Sequence, residues 1–288
     1  MSNKKRREIP RFNHPITETH CHLDYLEANE LEQTLVDARA VGVTRLITIS
    51  VSSSNQKRVA DLARAHEAIY CTQGIHPHEA SSYSSHVDEQ IRSGCRAAKV
   101  VAIGEIGLDY HYMHAEKQVQ YECFEAQLRL AAEHELPVVI HTRDAEEDTQ
   151  NVLAAHLNEL SHGGVLHSFS SKLPLAEFAL ASGWYLGFNG MVTFKNADQV
   201  REAVRMTPLD RLLLETDSPY LTPEPYRGRK NSPAYLPFIA EKIAEIKDVS
   251  IVELLRHCQQ NSERLFFRKK TERLESAPGL NTHGVSLP

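Results

Sequence analysis

The sequence has no long hydrophobic run, and its apolar stretches are only as long as single β-strands. Because a transmembrane helix needs about 20 consecutive apolar residues, we expect no membrane-spanning segment. The first seven residues are basic, but the apolar stretch of a secretory signal does not follow them. These absences favour a cytoplasmic protein that does not act in a membrane.

Cysteine is also scarce, with five residues in 288. Their spacing forms neither the paired pattern of a zinc knuckle nor that of a redox motif. An odd number of widely separated thiols predicts a reduced protein without a disulfide framework. The five residues are Cys21, Cys71, Cys95, Cys123 and Cys258.

Positive charge is not in excess, since the formal net charge is −6. A long basic groove that clamps duplex nucleic acid over many phosphates is therefore disfavoured, although a local cationic pocket remains compatible with this charge. The chain also lacks a Gly-x-Gly-x-x-Gly turn after its first apolar segment, which weighs against a dinucleotide-binding open sheet.

Eight short, β-rich apolar segments alternate with longer segments of helical periodicity. The predicted strands cover residues 16–19, 45–51, 69–73, 100–103, 137–140, 164–166, 184–188 and 211–215. The predicted helices include residues 30–41, 55–66, 117–135, 145–158, 235–246 and 251–267. Alternating elements pair in parallel through right-handed crossovers, and eight such units close into a (β/α)8 TIM-type barrel. An open doubly wound sheet is the alternative architecture.

One domain is sufficient for this length, because such barrels commonly run to roughly 250 residues. We assign residues 14–268 to the barrel, residues 1–13 to a flexible N-terminal segment and residues 269–288 to a disordered tail. The stretch 222–237, which is rich in proline, predicts a long loop after the eighth strand.

Histidine is unusually frequent, with sixteen residues. His20 and His22 end the first predicted strand, where the alternation of side chains places both imidazoles on one face. Two imidazoles side by side can chelate one divalent ion. The pair alone is weak evidence, because about one His-x-His is expected by chance at this frequency.

Four further candidates lie near the C-terminal ends of other predicted strands, namely Glu105, His141, His167 and Asp217. In a parallel barrel these ends converge at one mouth, so all the candidates would face one space. Buried imidazoles and carboxylates are costly without partners, and a metal ion satisfies several at once. Core histidines and helix caps explain any one of these residues, but they explain five strand ends poorly.

Five segments, in this order, resemble the TatD family of metal-dependent nucleases. They are Thr19-His-Cys-His-Leu-Asp24, Gly74-Ile-His-Pro-His78, Ile103-Gly-Glu-Ile-Gly-Leu-Asp-Tyr110, Ile140-His-Thr-Arg-Asp144 and Leu214-Glu-Thr-Asp-Ser-Pro-Tyr220. The resemblance extends from about residue 17 to residue 267 and leaves only the two tails outside it.

The resemblance implies a two-metal phosphodiesterase of the amidohydrolase type, similar to enzymes that trim DNA or RNA ends. The implied ligands are His20, His22, Glu105, His141, His167 and Asp217. The three from the first and last strands would bind one ion, the other two histidines would bind the second, and Glu105 would bridge both. Asp217 and Glu105 would be catalytic, with Asp217 as the general base that takes the proton of a metal-bound water and so forms the attacking hydroxide.

Candidate substrate contacts lie near the same end. We assign His76 to a phosphate oxygen, and we expect His78 to be structural because Pro77 bends the chain between them. Arg143 follows His141 by two residues, and Arg227 and Arg229 lie in the proline-rich loop, where guanidinium groups suit phosphate. Aromatic residues at this end can stack on unpaired bases, so the nucleic acid partner is expected to be a single strand or frayed end rather than duplex.

Two other functions are compatible with these residues. Hydroxide held by two ions also serves acyl centres, so the bond could be an ester, as in aminoacyl-tRNA, or a small lactone or amide. A metal-stabilised binding scaffold without turnover is the third hypothesis. The resemblance implies two divalent ions per subunit, for which imidazole and carboxylate ligands admit Mg, Mn and Zn, and we expect a monomer or weak oligomer.

Overall fold

Eight parallel strands form a single sheet in the structure, a computed structural model that describes residues 6–267. Each strand, β1 to β8 in chain order, pairs with the next. Their bounds are Ile16–Cys21, Val43–Thr48, Ile69–Gln73, Val100–Asp109, Val138–Arg143, Gly164–Leu166, Tyr185–Phe188 and Leu212–Leu214.

The ring closes where β1 meets the segment after β8. A parallel bridge joins Cys21 to Ser218, and His22 N donates a hydrogen bond to Ser218 O at 2.8 Å. Asp217 N donates to His20 O at 2.9 Å. The predicted (β/α)8 barrel is thereby confirmed, and the open doubly wound sheet is not the architecture of this chain.

Helices surround the sheet. Within residues 6–267 they are α1 to α9, with bounds Ala28–Ala40, Gln56–Ala65, Ser85–Gly94, Lys117–Glu133, Glu146–His156, Leu173–Ala181, Asp198–Met206, Leu236–Lys247 and Ile251–Ser262. A π-helix, Glu263–Phe267, continues directly from α9. Helices follow the strands in sequence because each crossover between parallel neighbours must pass over the outer face of the sheet.

The interior of the barrel away from the mouth is apolar. Six strands contribute to one buried cluster together with two residues of the π-helix: Ile47, Val101, Val139, Val165, Tyr185, Leu213, Leu265 and Phe266. Barrels of this class are filled by such layers of side chains rather than hollow. Polar groups in the barrel are therefore concentrated toward the other end, where the strands terminate.

Three strands run further than their apolar pattern predicted. β1 continues to Cys21, β4 to Asp109 and β5 to Arg143. His20, Glu105 and His141 therefore lie within strands rather than after them. The β4–β5 register shifts between Ile103 and Ile106. Two glycines and a glutamate interrupt the apolar pattern there, although all ten residues of β4 are buried.

The described part of the N-terminal segment that we predicted to be flexible makes defined contacts. Arg6 Nε donates to Pro225 O at 3.0 Å, and Tyr226 Oη donates to Arg7 O at 3.1 Å. The predicted tail, residues 269–288, lies outside the described residues. Among the helices of the described chain, none has the length and apolarity needed to cross a membrane.

Candidate metal centre

The six residues predicted as metal ligands meet at the C-terminal end of the barrel. Each lies within a strand or no more than three residues after one, and the order along the chain is His20, His22, Glu105, His141, His167 and Asp217. Four of the side chains are buried, whereas His141 and Asp217 are half-buried. The cluster is therefore embedded in the barrel but reaches its surface through these two residues.

Glu105 lies at the middle of the cluster. Its Oε1 is 2.9 Å from both His141 Nδ1 and His167 Nε2, and 3.5 Å from His76 Nε2. Its Oε2 is 3.4 Å from His20 Nε2. One carboxylate thus contacts imidazoles from four different positions around the barrel, which is the placement that a bridging ligand needs.

Asp217 lies beside His20, which is in β1, and His22, which directly follows that strand. Its Oδ1 is 3.4 Å from His22 Nε2 and 3.7 Å from His20 Nε2. The backbone of Asp217 has a positive φ of 57°, which aspartate tolerates better than most residues. Its N–H is held by His20 O, so the turn after β8 aims the carboxylate at the histidines.

The donor atoms fit a metal centre. Within residues 6–267, three triplets of side chains have ligand atoms within 4.8 Å of one another: His20, His22 and Asp217; His20, Glu105 and His167; and His76, Glu105 and His141. Both ring nitrogens of His20 are buried without a hydrogen-bond partner. Such atoms cost free energy unless a further group satisfies them, and imidazole with carboxylate is a donor set that several divalent metals accept.

The triplets agree only partly with the predicted allocation of ligands. The first triplet is the predicted one, but His141 and His167 fall into different triplets, with ring centroids 6.1 Å apart. Both nevertheless contact Glu105 Oε1. That His141 and His167 bind the same ion therefore stays a prediction.

The carboxylates and imidazoles of the cluster shift one another's pKa values. Burial raises the pKa of Glu105, but His167 and His76 outweigh it and hold that pKa well below its ordinary value. Burial lowers the pKa of His167, but Glu105 and Glu215 raise it well above the ordinary range. Glu105 is consequently ionised at neutral pH, as a metal ligand must be.

His76 was predicted to contact substrate. Its ring packs against His141 with centroids 4.4 Å apart, and it belongs to one of the three triplets. Burial lowers the pKa of this imidazole well below the ordinary value. On geometry, His76 is both a candidate ligand and a candidate substrate contact, and its role stays a prediction.

Asp109 is a site residue that sequence reasoning missed. This buried carboxylate accepts hydrogen bonds through Oδ2 from His141 Nε2 at 3.0 Å and from His78 Nε2 at 2.9 Å. Its Oδ1 accepts from His111 N and Tyr112 N. His78, which we expected to be structural, therefore reaches the cluster through Asp109.

Two more carboxylates below the mouth were also missed. Glu215 Oε1 accepts from Ser168 N at 2.5 Å and lies 3.3 Å from His167 Nδ1. Glu18 Oε1 accepts from His20 N at 3.1 Å and from Thr216 N at 2.9 Å. The signal for Glu18 was its alternation with His20 and His22, which puts all three on one face of β1.

Buried glutamines of α4 support the loops that carry the cluster. Gln127 Oε1 accepts from Ile75 N at 2.7 Å, and its Nε2 donates to Ile75 O at 3.0 Å, next to His76. Gln120 makes the equivalent pair of bonds with the N–H and C=O of Asp109. Each glutamine amide thereby bonds a buried backbone N–H and C=O, of Ile75 or of Asp109, as a neighbouring strand would.

The three arginines predicted to bind phosphate pack against aromatic rings. Arg143 lies 4.7 Å from the ring centre of Tyr112, and Arg227 lies 3.9 Å from that of Phe194. Arg229 is 5.8 Å from the ring centre of Tyr226. Within residues 6–267, none of the three forms an ion pair with Glu105 or Asp217, and their role as phosphate contacts stays a prediction.

Comparison with known proteins gives consistent matches over nearly the whole barrel. A family model described as TatD related DNase matches residues 17–267. The chain is 38% identical over 250 residues to the uncharacterized metal-dependent hydrolase YabD of Bacillus subtilis, covering 86% of this chain and 98% of that protein. It is 35% identical over 246 residues to a protein of Erwinia tasmaniensis named 3′-5′ ssDNA/RNA exonuclease TatD, covering 83% and 94%.

A solved structure agrees with these sequence matches. The crystal structure of YJJV, a TatD homologue from Escherichia coli, superposes with a TM-score of 0.83 at 31% identity, covering 87% of this chain and 97% of that one. The barrel and its cluster of histidines and carboxylates define the class as metal-dependent hydrolases. Within that class, the chain belongs to the TatD family.

Proposed function

We propose that this chain is a two-metal nuclease that hydrolyses phosphodiester bonds at single-stranded ends of nucleic acid. The observation that carries the proposal is the position of Glu105, whose two oxygens face imidazoles on both sides of the mouth. A carboxylate can bridge two cations, and a pair of cations suits the charge that develops on a phosphoryl group.

The proposed ions would be held by the residues of the cluster. His20, His22 and Asp217 form one group, and Glu105 joins it to the histidines from β5 and β6. Divalent ions bound there would acidify a water molecule and neutralise charge on the phosphoryl oxygens.

Asp217 is the proposed general base. Burial raises its pKa, but the hydrogen bond from His22 and the charges of His167 and His20 lower it below the ordinary value, so it is ionised at neutral pH. Its side chain is 14% exposed, which leaves it open to water at the mouth. A water oxygen would attack phosphorus and its proton would pass to Asp217, while the P–O bond in line with the attacking water breaks and the departing oxygen takes up a proton from solvent to become a hydroxyl group.

Nucleic acid is the proposed substrate for two reasons. A relative 35% identical to this chain carries the name 3′-5′ ssDNA/RNA exonuclease. The mouth also has Arg143, which follows His141 closely, and the loop after β8 has Arg227 and Arg229, all of which remain the proposed phosphate contacts with His76. The net charge of −6 favours a short, local contact with a strand end over a long duplex.

An ester hydrolase is a second candidate, supported by a cavity of about 790 Å³ that reaches His22. The cavity lies between α1 and the loop after β8, and Glu8, Glu30 and Asp37 are among its lining residues. Arg11 and Lys230 also line the cavity, with Lys230 paired to Glu30 at 3.2 Å, so the three carboxylates leave an excess of one negative charge that suits the amine of an aminoacyl ester. This candidate shares the metal cluster and differs in the bond that is cleaved.

Hydrolysis assays with matched variants test the proposal. Wild-type protein with Mg²⁺, Mn²⁺ or Zn²⁺ should shorten single-stranded DNA, and Asp217→Asn should lower the rate by about 100-fold or more, because a general base contributes on that scale. Asp210→Asn, at the opposite end of β8 and paired with Arg211, is the control and should keep the wild-type rate. Equal rates for wild type and Asp217→Asn would refute the proposal, and hydrolysis of an aminoacyl ester alone would favour the second candidate.

A further inference from the structure

Exposed aromatic side chains are confined to one end of the barrel. Among residues 6–267, the exposed ones are Tyr25, Tyr112 and Tyr220, with 43%, 52% and 54% of their surface accessible. Each follows the C-terminal end of a strand, namely β1, β4 and β8. Aromatic rings normally contribute most when buried, so three exposed rings around one candidate site need a ligand to explain them.

Tyr25 and Tyr220 form a pair beside the β1 histidines. The Tyr25 ring is nearly parallel to that of His22, with centroids 5.1 Å apart. Tyr220 meets Tyr25 edge to face at 6.4 Å and lies 6.1 Å from His22. The pair therefore lies directly beside a proposed metal ligand.

Tyr112 lies three residues after β4, beside the proposed ligand from β5. Its N–H donates to Asp109 Oδ1 at 2.9 Å, and the other oxygen of that carboxylate holds His141. The Arg143 guanidinium lies 4.7 Å from the ring centre. The Tyr112 ring and Arg143 form one platform, and the Tyr25–Tyr220 pair forms the other. The Tyr112 platform combines an exposed ring with a cation, and Asp109 lies between it and the proposed ligand His141.

The two platforms lie on opposite sides of the mouth. The strands follow one another around the ring in chain order, and β8 is adjacent to β1. Because three strands lie between β4 and β8 on either side of an eight-stranded ring, Tyr112 lies across the barrel from the Tyr25–Tyr220 pair. A phosphate at Glu105 would have one platform on each side.

We propose that these tyrosines form two base-stacking subsites that hold the unpaired nucleobases on either side of the scissile phosphate. This inference rests on the proposed nuclease function and adds the residues that would hold the unpaired bases. Stacking on a tyrosine ring is open to every base, because each base has a π-face, so little sequence preference is expected. Both neighbouring bases must be free of a complementary strand in order to reach the rings.

Abasic oligonucleotides provide the test. Tyr220→Ala and Tyr112→Ala should each raise KM for single-stranded oligothymidylate about tenfold, within the range measured for loss of one base–aromatic stack, with a smaller effect on kcat. Phenylalanine at either position should keep the wild-type KM. With an abasic residue on the side that a given tyrosine serves, the alanine variant and wild type should have the same KM, whereas an abasic residue on the other side should leave the tenfold difference.

Binding provides an independent measurement. In an Asp217→Asn background, fluorescence anisotropy with labelled oligothymidylate should show the same tenfold losses for the alanine variants. Val252→Ala, at an exposed apolar residue of α9, is the matched surface control and should bind like its parent. Thermal unfolding confirms that each variant is folded.

The outcomes separate this inference from the proposed function. If wild type cleaves oligothymidylate but neither alanine variant changes KM or binding, the subsites are refuted and the nuclease proposal stands. If wild type cleaves no oligonucleotide with any ion, the nuclease proposal fails. In that case, binding that depends on the tyrosines would support base stacking at the mouth apart from cleavage, and binding that does not depend on them, or no binding, would refute it.

Discussion

Asp109 accepts a hydrogen bond through Oδ2 from Nε2 of His141 at 3.0 Å, which leaves Nδ1 of that imidazole facing Glu105. The carboxylate thereby selects the nitrogen that carries the proton and the nitrogen that is available to an ion. Partners of this kind fix the orientation of histidine ligands and tune their basicity.

Asp109→Asn should weaken metal binding by about 10- to 100-fold, the usual effect of removing such a partner. Asparagine has one acceptor oxygen, whereas Asp109 uses one oxygen for two backbone N–H groups and the other for two imidazoles. Isothermal titration with Mn²⁺ or Zn²⁺ measures the loss. Glu159→Gln, which alters a similar 3.0 Å contact to His156 outside the cluster, should bind metal like wild type.

Removal of metal should destabilise the wild-type barrel. An ion at about 100 times its dissociation constant stabilises a folded protein by about 2.7 kcal/mol, so chelation should lower Tm by several degrees and added Mn²⁺ or Zn²⁺ should restore it. Glu105→Gln should lose most of this response, because the amide cannot bridge two cations. Glu202→Gln, in an exposed pair with Arg205, should respond like wild type. A full response in Glu105→Gln would contradict the central role of this carboxylate.

Glu18 should make the stability of the metal-free protein fall as pH rises. Burial raises its pKa from 4.5 to about 8, so the folded state keeps a proton that the unfolded chain releases between these values. At about 1.4 kcal/mol per pH unit, the penalty present at pH 8 and absent below pH 4.5 is on the order of 5 kcal/mol.

Glu18→Gln removes the titratable carboxyl group but keeps a side-chain oxygen that can accept from His20 N and Thr216 N. Its stability relative to wild type should therefore increase between pH 4.5 and 8 and remain constant above pH 8. Urea unfolding in the presence of a chelator measures this difference. Glu122→Gln, at an exposed residue of α4, is the control, and a pH-independent difference for Glu18→Gln would show that Glu18 is ionised in the fold.

Gln127→Leu should destabilise the loop that carries His76. The substitution leaves the buried N–H and C=O of Ile75 without their partner, at a cost of about 1–3 kcal/mol for each group. Gln118→Leu, on the exposed side of the same helix, should cost much less, since its partner is the exposed Glu122. Chemical denaturation of both variants checks the prediction, which would be contradicted by equal losses of stability.

The architecture could be predicted because its signal is local. Strands buried on both faces appear as short apolar runs, and β3 and β6 have the predicted bounds. β4 was predicted too short, because Gly104, Glu105 and Gly107 break the apolar pattern although the backbone stays paired with β5. Once a parallel barrel was assumed, convergence of the ligands at one mouth followed from topology.

The residues around the ligands could not be predicted in the same way. Asp109 and Glu215 resemble any acidic residue in the sequence, and their importance depends on which imidazole faces them across the barrel. Arg227 and Arg229 were placed in the correct loop, but the direction of a long side chain depends on the ring that it packs against. These features belong to tertiary packing, which one sequence does not encode in any local pattern.

The closure of the ring between His20 and Asp217 has a consequence for synthesis of the protein. A chain leaving the ribosome carries the histidines of β1 from the beginning, but the aspartate that completes their group is added almost two hundred residues later. Until β8 has emerged and paired with β1, a nascent chain lacks both the closed barrel and the proposed base. The proposed nuclease therefore cannot act on the messenger from which it is being translated before most of its own synthesis is complete.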